Sequence, residues 1–221
     1  MFPVVTVVGT SDSGKTTVAS FLVESLTERG YRVAAVKHCP HGHDLNRTGS
    51  DTDRLYESGA GSVVASSPGK QTRVDEVDGD PSLESVVAGF GTDVDMVIAE
   101  GFKRSAAPKV LVVDPENAPP DVDNVIATVS ADPKVPGVPN YHLEELQNLA
   151  AQIRKQFLDA PQETPAVSLV VDGVPIPMSR FPTGSLTSTV EGFVSSLKGI
   201  PDDPQEIRLT IRLRPNEPTT D

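Results

Sequence analysis

The amino-acid sequence predicts an α/β fold: a doubly wound, mostly parallel sheet followed by a small C-terminal α+β module. Three observations predict it. Apolar β-branched runs alternate with segments of helical periodicity through the first part of the chain, the pattern required by a sheet with helices on both faces. The run Val4-Val5-Thr6-Val7-Val8 passes directly into Gly9-Thr10-Ser11-Asp12-Ser13-Gly14-Lys15-Thr16, which fits G-x-x-x-x-G-K-[ST] without a mismatch, and then into a helical pattern. Finally, the polar, proline-bearing stretch 159–165 separates this alternation from a shorter strand, turn, helix and strand pattern.

Each element follows from its residues. After the glycine loop, Val18, Phe21, Leu22 and Leu26 share one helical face, and Gly30 stands where a helix should stop. Tyr31 to Val36 reads as a second strand, followed by a polar loop. A short helix is expected near Asp51 to Ser58, with Ser50 as N-cap and Gly59 as C-cap. Ser62 to Ala65 reads as a third strand. Asp80-Pro81 reads as an N-cap and N1 proline opening a helix through Val87. Asp95 to Ala99, Lys109 to Val113 and Asn124 to Val129 are further strands. Leu143, Leu146, Leu149, Ile153 and Phe157 carry the spacing of a long amphipathic helix. The expected organisation is a P-loop NTPase domain over 1–158, a linker over 159–165, a module over 166–214 and a flexible tail over 215–221. Within the module, strands are expected at 167–171 and 207–213 with a helix around 187–197.

Composition narrows the function classes. The formal net charge of −12 argues against nucleic acid as a partner, because binding phosphodiesters requires clustered Lys and Arg. No segment approaches the apolar run of about 18 residues that spans a membrane, and no signal peptide is read before the first strand. A single cysteine, Cys39, excludes an internal disulfide framework and fits a cytoplasmic setting.

The glycine loop assigns tasks to its residues. Gly9 and Gly14 permit backbone angles and close approaches that a side chain would obstruct. Lys15 reaches β- and γ-phosphate oxygens, Thr16 offers its hydroxyl to Mg²⁺, and the amides of Ser13 to Thr17 face the phosphates. The metal needs a second hard oxygen ligand. Glu100 ends the strand beginning at Asp95, at the carboxyl edge where phosphates belong, and is expected to contact magnesium-bound water or polarise the attacking water. Asp95, at the opposite end, reads as a turn or cap residue. Asp51 reads equally as a Mg²⁺ or catalytic residue and as a first-turn acid favoured by the helix dipole.

Lys37-His38-Cys39-Pro40-His41-Gly42-His43-Asp44 concentrates three of the four histidines. A transition-metal site at His38, Cys39, His41 and His43 is one reading, which would make the chain a nucleotide-dependent metallochaperone. Lys37 and hydrogen-bonding histidines near the phosphates, or against a partner, is the more economical one. A small-molecule kinase is a third alternative, since P-loops also serve phosphoryl transfer to a bound acceptor. The guanine-reading N-K-x-D is absent. Asp132 follows the strand ending at Val129-Ser130, where its carboxylate could accept from guanine N1 and N2 amino groups; it also reads as an Asp-Pro turn.

Gly9 to Thr17, Val36-Lys37-His38 with downstream histidines, Gly49-Ser50-Asp51-Thr52-Asp53-Arg54, and Glu100-Gly101-Phe102-Lys103 together resemble the MobB family. These are the GTP-binding proteins of molybdopterin guanine dinucleotide biosynthesis. The resemblance covers roughly residues 3 to 158. It implies a usually homodimeric P-loop GTPase-type fold with weak GTP hydrolysis. It also implies partnership with the molybdopterin guanylyltransferase and with the apo-molybdoenzymes that receive the cofactor. Lys15, Thr16 and Glu100 carry over; His38, His41 and Asp44 match a less regular loop. The C-terminal module is similar to an extension carried by some longer members.

Overall fold

The computed structural model describes residues 2–42, 48–90, 94–114, 117–132, 135–159, 167, 169–171, 174–176, 180–201, 204, 207, 209 and 211. The chain divides into two compact units, Met1–Pro177 and Met178–Asp221. The grouping of 166–214 expected from sequence runs across this division.

The first unit contains eight main strands: β1 (Val4–Gly9), β2 (Val33–Lys37), β3 (Ser62–Ser67), β4 (Lys70–Asp75), β5 (Met96–Glu100), β6 (Lys109–Val112), β7 (Val125–Val129) and β8 (Asn140–Tyr141). Its helices are α1 (Lys15–Thr27), α2 (Asp51–Glu57), α3 (Leu83–Ala88) and α4 (Leu146–Phe157). Six strands form one sheet in the order β2-β5-β1-β6-β7-β8, and every neighbouring pair in it is parallel. The central strand β1 is apolar but for the fully buried Thr6, because helices cover both faces of the sheet. On one face, Val5 and Val7 pack with Val18, Leu22 and Leu26 of α1 and Leu146, Leu149 and Ile153 of α4. On the other, Val97 and Ala99 of β5 pack with Leu83 and Val87 of α3. This is the doubly wound arrangement the alternating pattern predicts. Each buried leucine or isoleucine contributes about 1.5–3 kcal/mol relative to an exposed one.

Several local expectations are corrected. Ser62 to Ala65 does not join the parallel sheet: β3 pairs antiparallel with β4, and in this hairpin only Val63 is buried. With water on nearly every side chain, β4 (Lys-Gln-Thr-Arg-Val-Asp) carries no apolar alternation, which is why sequence reading passes over it. The α3 N-cap is Ser82, whose hydroxyl accepts from the Ser85 amide at 3.2 Å. Asp80 is instead drawn to His38. Leu143 is 61% exposed, because a 3₁₀ turn over Leu143–Glu145 precedes α4 and takes it off the buried stripe.

Lys109 opens β6 with its side chain fully buried. Its ammonium donates to the carbonyls of Ser105 (2.6 Å) and Ala107 (3.2 Å) and to Asp123 Oδ1 at 3.0 Å. Those three acceptors satisfy all three donors of a buried charge. The hydrogen bond from Lys109, reinforced by its charge, holds the Asp123 carboxyl below the usual carboxylate range.

A short antiparallel pair, β9 (Leu169–Val171) and β10 (Val174–Ile176), also belongs to the first unit. The second unit contains α5 (Arg180–Ser195), beginning earlier than the helix expected around 187–197. The strand expected at 207–213 and the tail lie largely outside the described residues.

Candidate functional site

The glycine loop joins the end of β1 to the start of α1. Asp12 (φ 56°) and Gly14 (φ 90°) are both left-handed, and alternation of such residues with right-handed ones is the backbone that forms anion-binding concavities. Gly9 is required by close approach: a Cβ there would run into the Val112 carbonyl oxygen and lie 2.6 Å from Ser13 Oγ. The Lys15 ammonium folds back over the loop onto the Thr10 carbonyl, and Ser13 Oγ donates to the same oxygen at 3.0 Å.

Both α2 and α3 are capped by a serine side chain and carry acids in their first turn. The start of α1 has neither. α4 lacks both too, but it continues directly from the 3₁₀ turn over Leu143–Glu145, whereas α1 starts from the glycine loop. The free amides of α1 and the positive end of its dipole are therefore left for an anion supplied from outside the chain.

One side of the loop faces β5 and β2. The Thr16 hydroxyl donates to Glu100 Oε2 at 2.8 Å. Having given its proton to a carboxylate, the hydroxyl oxygen keeps its lone pairs available for a cation. The Glu100 side chain is 12% exposed, and Lys37 Nζ lies 3.2 Å from its Oε1 and 3.4 Å from Thr16 Oγ1. Glu100 and Lys37 are paired positions at the carboxyl ends of adjacent parallel strands, so the sheet register itself sets this ion pair. Thr16 and Glu100 are the hard oxygen donors that Mg²⁺ prefers, and they fit that ion.

His38 continues from Lys37. Its ring stacks on Phe102 with centroids 4.6 Å apart, and Nε2 lies 2.9 and 3.0 Å from the two Asp80 oxygens. The stack needs Gly101 in its left-handed conformation (φ 93°), because a Cβ at 101 would approach His38 Cβ to 2.9 Å. Thus Glu100-Gly101-Phe102 supplies a carboxylate, a close approach and an aromatic platform in three consecutive residues.

On the other side of the loop lies an open cleft of about 530 Å³. It runs from Asp12 and Ser13 past the ends of β6 (Val112 to Asp114) and β7 (Val129 to Ala131) to His142 and Leu143. Ser130, which lines it, is held by Asn140, whose Oδ1 accepts from Thr128 and Ser130 at 2.7 Å each. The Ser130 hydroxyl also contacts the Asp132 carbonyl, tying the 130–132 turn to the sheet.

Thr16, Glu100 and Lys37 meet beside the loop, and the Lys15 ammonium lies over it on the Thr10 carbonyl. Asp132 is exposed just beyond the cleft. Asp51 sits exposed in the first turn of α2, in the position the helix dipole favours. Asp95 pairs with Arg32 through bonds of 2.7 to 3.2 Å at the other end of β5. His43 and Asp44 lie outside the described residues, among which no group of three His, Cys, Asp or Glu side chains is placed to hold a metal. Among them, too, no helix is long and apolar enough to cross a membrane. Sequence reading missed the Asp80 contact and Asn140; an asparagine on a two-residue strand gives no local signal.

Fold and loop define the class: a P-loop NTPase-like α/β protein. The family model for molybdopterin guanine dinucleotide synthesis protein B matches residues 4–131, and the chain belongs to this MobB family. A Haemophilus influenzae protein named molybdopterin-guanine dinucleotide biosynthesis adapter protein is 30% identical over 145 residues, 64% of this chain and 77% of that protein. A relative from Methanocaldococcus jannaschii is 24% identical over 94% of this chain and 97% of its own length. The crystal structure of Bacillus subtilis MobB superimposes with a TM-score of 0.58 at 26% identity, covering 72% of this chain and 99% of that one. A further crystal structure, of molybdopterin-guanine biosynthesis protein B, gives 0.56 at 31% identity over 70% of this chain and 98% of its own.

Proposed function

We propose that this protein is a GTP-binding adapter in the biosynthesis of the molybdopterin guanine dinucleotide form of the molybdenum cofactor. Family membership supports the pathway. The observation that carries nucleotide binding is the uncapped start of α1 beside the Thr16–Glu100 contact. In this reading the amides of residues 13–17 and the Lys15 ammonium hold the phosphate chain, and Thr16 and Glu100 hold Mg²⁺. Bound there, the metal would neutralise charge on the phosphates. Glu100 would orient the attacking water, which gives weak hydrolysis suited to switching rather than to metabolism. The purine would extend over the cleft between the ends of β6 and β7, where the Asp132 carboxylate can accept from guanine N1 and N2 groups that adenine lacks. The guanylyltransferase and apo-molybdoenzymes would be its partners, a second copy its dimer mate, and the cytoplasm its setting.

The test is equilibrium titration with GTP and ATP in the presence of Mg²⁺, on wild type and Lys15→Ala. GTP should bind in preference to ATP, and the variant should lose about 100-fold in affinity. Purified guanylyltransferase should be retained by the wild type with GTP and not by Lys15→Ala. Equal affinities in the two proteins would sink the nucleotide assignment.

A further inference from the structure

Glu100 meets one cation in this fold, the ammonium of Lys37, and its chemistry suits a second, Mg²⁺. Lys37 Nζ lies 3.2 Å from Glu100 Oε1 and 3.4 Å from Thr16 Oγ1, while those two residues are themselves joined at 2.8 Å. The three form a closed triangle. A divalent ion bound to the Thr16 and Glu100 oxygens and an ammonium at this position would approach the same pair of atoms, and their like charges exclude joint occupancy.

We infer that Lys37 is a built-in competitor for the magnesium position, neutralising Glu100 whenever the metal is away. The inference rests on the reading of Thr16 and Glu100 as metal ligands. Its physical basis is the burial of Glu100. A carboxylate 12% exposed beside a phosphate loop is costly without a counter-ion, and it repels the phosphates the loop is built to receive. Lys37 is 57% exposed, so its stem can swing away at little cost when Mg²⁺ takes the oxygens. Its backbone cannot follow. Lys37 is in register with Glu100 on β5, the His38 amide donates to the Glu100 carbonyl at 2.9 Å, and the His38 ring is stacked on Phe102. A flexible ammonium on a fixed strand end is what an exchangeable cation requires. An ordinary surface ion pair needs none of this and would leave metal dependence untouched.

The experiment measures nucleotide affinity in EDTA and in saturating Mg²⁺ for wild type, Lys37→Met and Lys37→Arg, with circular dichroism as the check on folding. Removing the charge leaves Glu100 facing the phosphates unless Mg²⁺ is present. The ratio of Kd in EDTA to Kd in Mg²⁺ should therefore rise about tenfold in Lys37→Met, the scale of one charge contact near a surface. Lys37→Arg should keep the wild-type ratio, since it keeps the charge. In parallel, Mn²⁺ binding without nucleotide, read by electron paramagnetic resonance, should tighten several-fold in Lys37→Met. A ratio unchanged within about twofold, with equal Mn²⁺ binding, overturns the inference. If wild type binds no nucleotide under either condition, the nucleotide reading fails. The competition is then judged on Mn²⁺ alone, and equal or absent binding in both proteins overturns it.

Discussion

The two flanks of the phosphate loop are built from the same parallel sheet yet differ in how their side chains are engaged. On the β5–β2 side, Thr16, Glu100 and Lys37 contact one another directly, and Phe102 with Asp80 fixes the histidine behind them. On the β6–β7 side the hydrogen bonds run beneath the surface, through Asn140, Thr128 and Ser130, leaving an open cleft above. One flank presents charge at a fixed point and the other presents shape. Phosphate and metal chemistry is common to a large class of proteins and needs the first. In the proposed reading, choice of base is particular to each member and would fall to the second.

The largest expected effect probes the charged flank. Glu100→Gln keeps the hydrogen-bonding outline and removes the charge, and should lower Mg²⁺-dependent GTP hydrolysis by about 100-fold. Comparable turnover in the variant, measured as phosphate release, would move the catalytic role elsewhere and weaken the contrast between the flanks. A smaller effect is expected on the open side. Asp132→Asn should cut the preference for GTP over ATP about tenfold, the worth of one hydrogen bond to a charged group. Unchanged preference would remove Asp132 as the reader and turn attention to Asp114, two residues beyond the end of β6.

The smallest effect concerns stability. At the far end of the β2–β5 pair, hydrogen bonds from the Arg32 side chain hold the Asp95 carboxyl below the usual aspartate range, against burial, which pulls the other way. A depressed carboxyl contributes stability above its unfolded value of about 3.9, and that contribution is lost as pH falls through the lower folded value. In urea melts, wild type should exceed Asp95→Asn near pH 6 by a modest margin that shrinks as the pH falls below about 4. A margin independent of pH would show that the pair acts by hydrogen bonding alone.

How much of this is legible in the sequence follows from where each signal lies. The glycine loop, its flanking strand and helix, and Glu100 at a strand's carboxyl end are local patterns, and all appear where expected. The Lys37–Glu100 pair is not local. It depends on β2 lying beside β5, a neighbour more than one element away in sequence, so periodicity sees each strand but not their register. β4 and its pairing with β3 are not legible for another reason: with little to bury, the residues of β4 have no need to alternate. Asp80-Pro81 carries the local signature of an N-cap, but Ser82, two residues on, caps the helix and leaves Asp80 to His38.

The position of β1 in the middle of the sheet has a consequence for the order in which the protein is made. Its partners are β5, with Val4 opposite Val97, and β6, with Thr6 opposite Lys109. β1 leaves the ribosome before either partner and must wait for β6 before both its edges are paired, and such non-local pairing is slow. The phosphate loop hangs from the end of that strand, with Gly9 fitted against the Val112 carbonyl. A nascent chain therefore carries the whole loop motif long before it has the loop. In the proposed reading, competence to bind nucleotide must wait until β6 closes on β1, with about half of the chain already made.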